Sequence, residues 1–307
     1  MEVVAVSERG RPVVVGADGG GTDSAAVRWA AGLAQRLGRE LVVVHASEPE
    51  ALAARAAGAG APDVTALLEA EEERADQVRE EAARLGESVG VPVRLDVQRA
   101  SPLRALLEHE DEACAIVVGT GRKGVLEEFV LGTTSIGVAA HATCPVVVIN
   151  PEVDVDGLDH GVIGVAVDGS GDSRAAARVA MDYAGGTGSR VVAITTWYLE
   201  VVDGYVVTEP DSPEWRQVEE ERMAMLEDTF AGLRRSHAHV PLELSVRRGP
   251  VLSTLLEASE GLDLMVMGSR GMGSVRGRLL GSVSQRLMRT AQVPVMVVTR
   301  PQDRRQG

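Results

Sequence analysis

The sequence predicts an α/β fold made of two repeated, doubly wound domains, each built on a five-stranded parallel sheet. Two observations support this prediction. Short valine-rich runs alternate with longer amphipathic stretches along the chain, which is the pattern of βαβ units. The chain also repeats itself: VVVGADGGGTDSAAVRWA, from Val13, aligns with IGVAVDGSGDSRAAARVA, from Ile163, so that Asp18 corresponds to Asp168. A length of 307 residues fits two such domains.

The first repeat contains five short apolar runs that we expect to form strands. Almost uninterrupted hydrophobic character is typical of strands whose sheet is covered by helices on both faces. The expected strands are 13–17, 41–45, 93–98, 115–119 and 145–149. The amphipathic stretches between them predict helices over 24–37, 69–89, 102–111 and 131–142.

The second repeat follows the same order of elements. Its strands are expected near Gly164, Val191, Glu243, Leu264 and Pro294, and its helices are expected to begin near Asp172, Pro213, Pro250 and Leu280. Between the repeats, PEVDVDGLDHG at 151–161 has acids and glycines but no apolar periodicity, which is typical of a linker. We therefore divide the chain into domains at 1–152 and 159–307.

The composition limits the kinds of partner that the protein can have. Acidic residues outnumber basic ones by 45 to 31, which gives a formal charge of −14 and argues against nucleic acid or an anionic membrane as a partner. No apolar run approaches the roughly 18 residues of a membrane span, and the N-terminus lacks a signal-peptide pattern, so we expect a cytoplasmic protein. Cys114 and Cys144 lie in no CxxC spacing and are expected to be small buried residues.

The candidate site lies at the carboxyl ends of the strands, where ligands bind in open parallel sheets. An aspartate ends the first strand of each repeat, and a glycine loop follows the fourth: GTGRKGVLEEFVLGT from Gly119 and GSRGMGSVRGRLLGS from Gly268. The second loop has three arginines and no acid, and its glycines allow the backbone to approach a ligand closely. It leads into a helix that begins at Gly281 and Ser282, whose free N–H groups favour an anion such as phosphate. The hydroxyls of Ser282 and Ser284 are candidate additional donors.

Other interpretations of these residues stay open at this point. Glycine loops end strands in many α/β proteins, and Asp168 followed by glycine and serine also fits a turn at a helix start. If Asp168 does contact a ligand, it belongs at the base or ribose end of a nucleotide or on a divalent metal, because a carboxylate repels phosphate. The chain has no GxxxxGK[ST], and neither aspartate loop contains GxGxxG. HExxH does not occur, and no pairing of a nucleophile with a base is evident, so we assign no catalytic residue and no metal ligand.

The order strand, aspartate, helix, and then Gly-x2-Gly-x9-Gly-Ser after the fourth strand resembles the universal stress protein family in its tandem, two-domain form. In the second repeat the motif fits at Gly268, Gly271, Gly281 and Ser282. The resemblance implies an adenine nucleotide alpha hydrolase-like sandwich with strand order 3-2-1-4-5 that binds ATP, with Mg²⁺ accompanying it. It also implies pairing through the last strands, PVVVI and PVMVV, as an intrachain pseudo-dimer or in a homodimer.

The resemblance assigns a part of the nucleotide to each matching residue. Asp168 and Thr196 would lie near the base and ribose, and Met267 and Gly268 beneath the nucleoside. The residues that would hold the phosphates are Gly271, Gly281, Ser282 and Val283, together with Ser284. The corresponding residues of the first repeat are Asp18, Ala46, Gly119, Gly132 and Thr133.

The first repeat departs from the family pattern. Arg122 occupies the second glycine position of the motif, and two glutamates, Glu127 and Glu128, cancel the charge of Arg122 and Lys123. We therefore expect a degenerate motif in the first repeat and one intact nucleotide site in the second.

Three functions are compatible with the sequence. The first is an ATP-binding stress-response or signalling module with little or no turnover. The second is a slow ATP hydrolase or self-phosphorylating protein that uses Ser282 or Ser284, for which no general base is evident. The third is a nucleotide-independent interaction module, because residues 195–215 hold two of the three tryptophans and two of the three tyrosines. The sequence does not identify a protein partner.

Overall fold

The computed structural model describes residues 10–17, 24–48, 64–120, 132–202, 205–207, 209–272 and 280–300. Asp18 lies outside the described residues, as do Arg122, Lys123, Glu127 and Glu128. Expectations that concern those five residues stay predictions.

The first repeat contains the five predicted strands with helices between them. The strands are β1 (Val13–Gly16), β2 (Leu41–Ala46), β3 (Val93–Gln98), β4 (Ala115–Gly119) and β5 (Val146–Ile149). The helices are α1 (Ala25–Leu37), α2 (Val64–Ser88), α3 (Pro102–Leu107) and α4 (Thr133–His141). Helix α2 begins earlier than predicted, because the run VTALL contains alanine and leucine, which are strong helix formers.

The second repeat has the same order of elements and one addition. Its strands are β6 (Val162–Ala166), β7 (Arg190–Trp197), β8 (Val201–Val202), β9 (Tyr205–Val206), β10 (Leu242–Arg248), β11 (Leu264–Gly268) and β12 (Val295–Val298). Its helices are α5 (Gly171–Thr187), α6 (Pro213–Ser236), α7 (Val251–Ser259) and α8 (Ser282–Thr290). The addition is the small antiparallel hairpin β8–β9, whose two-residue strands are too short to leave a periodicity in the sequence.

Apart from β8 and β9, the described strands form one continuous sheet in the order β10-β7-β6-β11-β12-β5-β4-β1-β2-β3. Each half has the predicted order 3-2-1-4-5 and is parallel throughout. The halves join where β12 runs antiparallel to β5, with Met296 opposite Val147. The last strands of the two repeats therefore pair within the chain, as the resemblance implied.

Helices cover both faces of the sheet and divide the core into two layers. Val13 and Val15 of β1 pack with residues of α1 and α5 on one face, whereas Val14 packs with residues of α3 and α4 on the other. This follows from the twofold alternation of side chains along a strand. Both faces of β1 are therefore buried, which explains the continuous apolar character of its sequence.

Serine caps begin several helices, whereas the two helices that follow the fourth strand of each repeat lack one. The side chains that accept a hydrogen bond from the N–H three residues later are Ser24, Ser101, Ser170 and Ser212. In contrast, α4 and α8 begin at Gly132 and Gly281 with no side-chain cap, so their first N–H groups are left for another acceptor. Among the described helices, even the longest, α2 and α6, lack the apolar length that a membrane crossing needs.

The predicted linker at 151–161 is fastened to both repeats. Val153 is buried in the core, and the Asp156 carboxylate lies 3.4 Å from Nε of Arg28 in α1. At its far end, the buried Asp263 carboxylate accepts hydrogen bonds from the backbone N–H groups of His160 and Gly161, at 2.8 and 2.7 Å. The Arg28 and Asp263 side chains therefore hold this segment in place, and the sequence pattern did not predict either contact.

The two cysteines are free thiols. Cys144 is buried, as expected, and Cys114 is half-buried. Burial, and then the Glu110 carboxylate, raise the pKa of Cys144 to about 12, so this thiol stays protonated near neutral pH.

Gly268 and Gly119 occupy equivalent positions in the two repeats but have different surroundings. A Cβ added at Gly268 would lie 2.8 Å from the backbone carbonyl carbon of Asp172, whereas one added at Gly119 would meet its nearest atom at 3.9 Å. We expect Gly268→Ala to lower the free energy of unfolding by about 1–3 kcal/mol through overpacking. Gly119→Ala should change it by less than about 1 kcal/mol.

Urea unfolding of the two variants, followed by circular dichroism, tests this difference. Equal losses in both variants would contradict the described contact.

Candidate functional site

A cavity of about 340 Å³ opens at the carboxyl ends of β6, β7 and β11, where the strand order reverses. Every residue predicted for the second site lines this cavity. They are Asp168, Thr196, Met267, Gly268, Gly271, Gly281, Ser282, Val283 and Ser284. The fold therefore brings together residues that are more than a hundred positions apart in the chain.

The start of α8 forms one end of this cavity. The first backbone bond of the helix runs from the N–H of Gln285 to the carbonyl of Gly281, at 3.1 Å. The preceding N–H groups, on Ser282, Val283 and Ser284, have no acceptor within the helix. Because Gly281 supplies no side-chain cap and the helix dipole is positive here, this wall favours an anion.

Ser284 has a structural hydrogen bond that the sequence did not predict. Its hydroxyl is 2% exposed and lies 3.2 Å from the carbonyl oxygens of both Gly268 and Ser269, to which it donates. A hydroxyl has one proton, so this one is committed to the loop rather than to a ligand. The Ser282 hydroxyl is exposed and has no protein partner among the described residues, so it stays a candidate donor.

Asp168 joins the first-strand loop to the glycine loop. Its carboxylate accepts hydrogen bonds from the backbone N–H groups of Ser170, at 3.0 Å, and Met272, at 2.8 Å. The first bond is the local turn interaction that we considered as an alternative to ligand contact. The carboxylate thus has a turn role and also lies at the cavity wall.

The pKa of Asp168 reflects two opposing effects. Burial raises it, but the hydrogen bonds from Ser170, Met272 and Ser173 are together stronger and hold the pKa of this carboxyl below its ordinary value of 3.8. Asp168 is therefore ionised near neutral pH.

The two glycines at the start of the loop are required by protein contacts. Neither Gly268 nor Gly271 has a positive φ. A Cβ at Gly268 would strike the first turn of α5, and a Cβ at Gly271 would lie 2.6 Å from Oδ2 of Asp168. The structure shows that these glycines allow the approach of the loop to its neighbours, and their expected role in the approach of a ligand stays a prediction.

The sequence reasoning missed Asp172, which holds the beginning of the glycine loop. Asp172 is in the first turn of α5, is 7% exposed, and accepts hydrogen bonds from Ser269 Oγ and Arg270 Nε, both at 3.1 Å. Arg270 also lines the cavity. The sequence alignment of the two repeats could have identified this pair, because the first repeat has Thr22 and Gly121 where the second has Asp172 and Arg270.

The other walls of the cavity are largely apolar. They comprise Ala166 of β6, Ile194 of β7, and Val251 and Leu255 of α7, and Thr196 adds a hydroxyl at the end of β7. The cavity therefore has an apolar part beside β7 and α7 and a positive part beside Arg270 and α8.

A larger cavity, of about 590 Å³, lies at the equivalent place in the first repeat. Ala46, Gly119, Gly132 and Thr133 line it, as predicted for a site there. Among the described residues of its walls, the only ionisable side chain is Glu152. The described part of this cavity therefore lacks a counterpart to Arg270.

The tryptophans of the segment 195–215 are packed inside the second repeat. Trp197 is 2% exposed, and its ring meets that of Trp215 edge to face at 4.8 Å. The Arg248 guanidinium lies over both rings, 5.5 and 4.5 Å from their centroids. These rings therefore stabilise the fold. Among the residues of the segment whose burial is described, the exposed large apolar side chains are those of Tyr198, Leu199, Val201 and Val206.

Comparison with known proteins connects this architecture to one family. The sequence model of the universal stress protein family matches residues 10–150 and again residues 161–299. The two matches together span nearly the whole chain, one in each repeat.

Individual relatives resemble the chain over its full tandem length. A universal stress protein of Mycolicibacterium smegmatis is 32% identical, over 93% of this chain and 96% of that protein. One from Mycobacterium tuberculosis strain H37Rv is 30% identical, over 93% and 95%. The crystal structure of a universal stress protein from Archaeoglobus fulgidus has a TM-score of 0.61 at 18% identity and covers 94% of this chain and 98% of its own, which supports the fold.

The Asp168 hydrogen bonds predict a pH-dependent stability. Because the folded-state pKa is lowered, the contribution of the carboxylate is complete above the unfolded pKa, near 4, and is lost as the pH falls through the folded value. We expect Asp168→Asn to lower the free energy of unfolding by about 1 kcal/mol at pH 7, a modest value because the carboxylate is only half-buried. The difference from the unsubstituted protein should shrink below about pH 4.

Urea unfolding at pH 7, 5, 4 and 3 measures this difference. Asp228→Asn, which removes the exposed partner of Arg174, is the matched control and should show almost no loss at any pH. A constant Asp168→Asn deficit from pH 7 to 3 would contradict the assignment.

Proposed function

Because this chain belongs to the universal stress protein family, we propose that its second repeat binds an adenine nucleotide, ATP, and does so with little or no turnover. The observation that supports this most is the division of the second cavity into an apolar part and a positive part. A nucleotide has the same division, with a flat base at one end and phosphates at the other. The protein would then act as a nucleotide-dependent module in stress response or signalling.

Each part of the cavity suits one part of the nucleotide. Ile194 and Leu255 supply apolar surface for the base, and Asp168 and Thr196 supply polar groups for the ribose hydroxyls. The phosphates would accept hydrogen bonds from the backbone N–H groups at the start of α8.

Mg²⁺ would arrive with the phosphates rather than occupy a site made by the protein. Among the described residues, no group of three or more histidine, cysteine, aspartate or glutamate side chains is placed to hold a metal. Mg²⁺ in nucleotide sites commonly keeps several waters and binds through phosphate oxygens with one or two carboxylates. Asp168 is the wall carboxylate that could contact such a Mg²⁺ ion. Its oxygens already accept hydrogen bonds from the N–H groups of Ser170 and Met272, which leaves fewer lone pairs for a metal.

The described chemistry of the cavity favours binding over hydrolysis. Asp168 is the carboxylate among its described wall residues, and its lowered pKa makes it a poor general base near neutral pH. Self-phosphorylation would have to use Ser282, since the Ser284 proton is bonded to carbonyl oxygens.

We propose domain 1–152 as a degenerate partner that completes the ten-stranded sheet, and domain 159–307 as the nucleotide-binding one. Because the last strands already pair within the chain, a homodimer would need a different surface.

The purified protein, denatured to release bound ligand, should yield an adenine nucleotide at about one mole per mole of chain. Titration of nucleotide-free protein with ATP and Mg²⁺ should give the same ratio. Phosphate release should not exceed that of a blank without protein.

A matched pair of variants locates the site. Gly281→Val should weaken ATP binding at least about tenfold, because a Cβ there would already lie 3.4 Å from the Ser269 carbonyl oxygen and Ser284 Oγ, and the valine methyl groups would crowd the start of α8 further. Gly132→Val makes the same change at the start of α4 and should leave the affinity within about twofold. Absence of nucleotide and of binding would overturn the proposal, and loss in Gly132→Val alone would move the site to the first repeat.

A further inference from the structure

The carboxylate of Asp172 lies behind the cavity and not in it. It is 7% exposed, and a buried carboxylate is unfavourable unless it is paired. Its partners are Ser269 Oγ and Arg270 Nε, both on Oδ2 at 3.1 Å. The pair thus ties the first turn of α5 to the residues that directly follow β11.

Arg270 keeps donors beyond the one that Asp172 uses. A guanidinium has five N–H donors, and the bond to Asp172 takes the one on Nε. Its terminal nitrogens have no protein partner among the described residues, and the side chain, 27% exposed, lines the cavity. The backbone places Arg270 beside α8, since a Cβ added at Gly281 would lie 3.7 Å from the Arg270 Cα. Arg270 and the uncapped start of α8 are therefore neighbours in the cavity wall.

The loop is closed at its base without the charged pair. In the second repeat the N–H of Gly281 donates to the carbonyl of Ser269 at 2.8 Å, and in the first repeat the N–H of Gly132 donates to the carbonyl of Thr120 at 2.9 Å. In each repeat a serine hydroxyl also donates to the carbonyl of the last residue of the fourth strand. Ser284 donates to Gly268 at 3.2 Å, and Ser135 donates to Gly119 at 2.6 Å. These bonds are common to both repeats.

The first repeat therefore acts as an internal control. Its described part makes the same loop base, and the sequence alignment of the repeats puts Thr22 and Gly121 opposite Asp172 and Arg270. The Asp172–Arg270 pair therefore occurs in the second repeat and has no counterpart in the aligned sequence of the first. It holds an arginine at the wall of the second cavity.

We propose that Asp172 is a positioning residue that holds Arg270 toward the anionic end of a ligand, and that the pair gives the second cavity its preference for ligands with several phosphate groups. An arginine held in one rotamer loses less conformational freedom when it binds phosphate, and its planar fork fits phosphate oxygens. This inference rests on the proposed nucleotide function and deepens it, because it concerns the phosphates and not the base.

The test compares ATP with adenosine in the full chain by isothermal titration. In Arg270→Gln, ATP affinity should fall about tenfold or more and adenosine affinity should stay within about twofold. Asp172→Asn should weaken ATP binding about threefold to tenfold, again without changing adenosine binding. The double variant should bind ATP no more weakly than Arg270→Gln does, because Asp172 acts through Arg270. Asp228→Asn removes the exposed ion pair between α6 and Arg174 of α5, neither of whose residues lines the cavity, and should leave both affinities unchanged.

The ratio of the two affinities separates positioning from a merely structural role. If Asp172 only stabilised the fold, Asp172→Asn would lower the melting temperature and weaken both ligands alike, and the inference would be overturned. The inference would also be overturned if Asp172→Asn bound ATP as tightly as the unsubstituted protein, or more tightly. The Asp172 carboxylate would then only repel phosphate.

Inorganic tripolyphosphate distinguishes this inference from the proposed function. If the unsubstituted protein binds tripolyphosphate but not ATP, and Asp172→Asn weakens that binding, adenine-nucleotide binding is wrong and the positioning role stands. If ATP binds and Asp172→Asn has no effect, the nucleotide function stands and the positioning role is wrong. If neither ligand binds, both are wrong.

Discussion

The second cavity depends on a close contact between the end of β11 and the first turn of α5. The backbone of Asp172 lies so close to Gly268 that a Cβ added at Gly268 would be only 2.8 Å from the Asp172 carbonyl carbon. The strand order reverses here, so the helices that follow β6 and β11 lie on opposite faces of the sheet and leave a crevice between them. The glycine loop crosses that crevice, and its first residues are held by carboxylates from the α5 side.

Ser269 is the residue on which these contacts converge. It is completely buried, its N–H donates to the carbonyl of Val298, and its own carbonyl accepts from the N–H of Gly281. Its hydroxyl donates to Asp172. A single position thus connects β12, α5 and the start of α8, which explains how a loop with so many glycines is held at both ends.

Much of the fold was predictable from the sequence because local patterns determine it. The apolar run AIVVG gave the bounds of β4 correctly, since a buried parallel strand is apolar at nearly every position. The bounds of β3 were also predicted correctly, although this edge strand alternates apolar and polar residues. The residues of the cavity were predictable for a different reason: the repeat alignment and the family motif placed them at the strand ends. Asp18 and the charged residues of the first loop lie outside the described structure, so the expectations about them stay predictions.

What the sequence could not predict were contacts between distant side chains. The bond from Met272 to Asp168 joins residues that are 104 positions apart, and the bond from Arg270 to Asp172 spans 98. No local periodicity encodes such pairs. The same holds for Trp197 and Trp215, which appeared as a surface feature in the sequence and are an internal pair in the fold.

A crystal structure of the protein with ATP and Mg²⁺ tests the account most directly. We expect one nucleotide in the second cavity, with its base against β7 and α7 and its phosphates within hydrogen-bonding distance of the Ser282 and Val283 amides and the Arg270 guanidinium. ATP bound only in the first cavity, or bound in the second with its phosphates away from the start of α8, would contradict it.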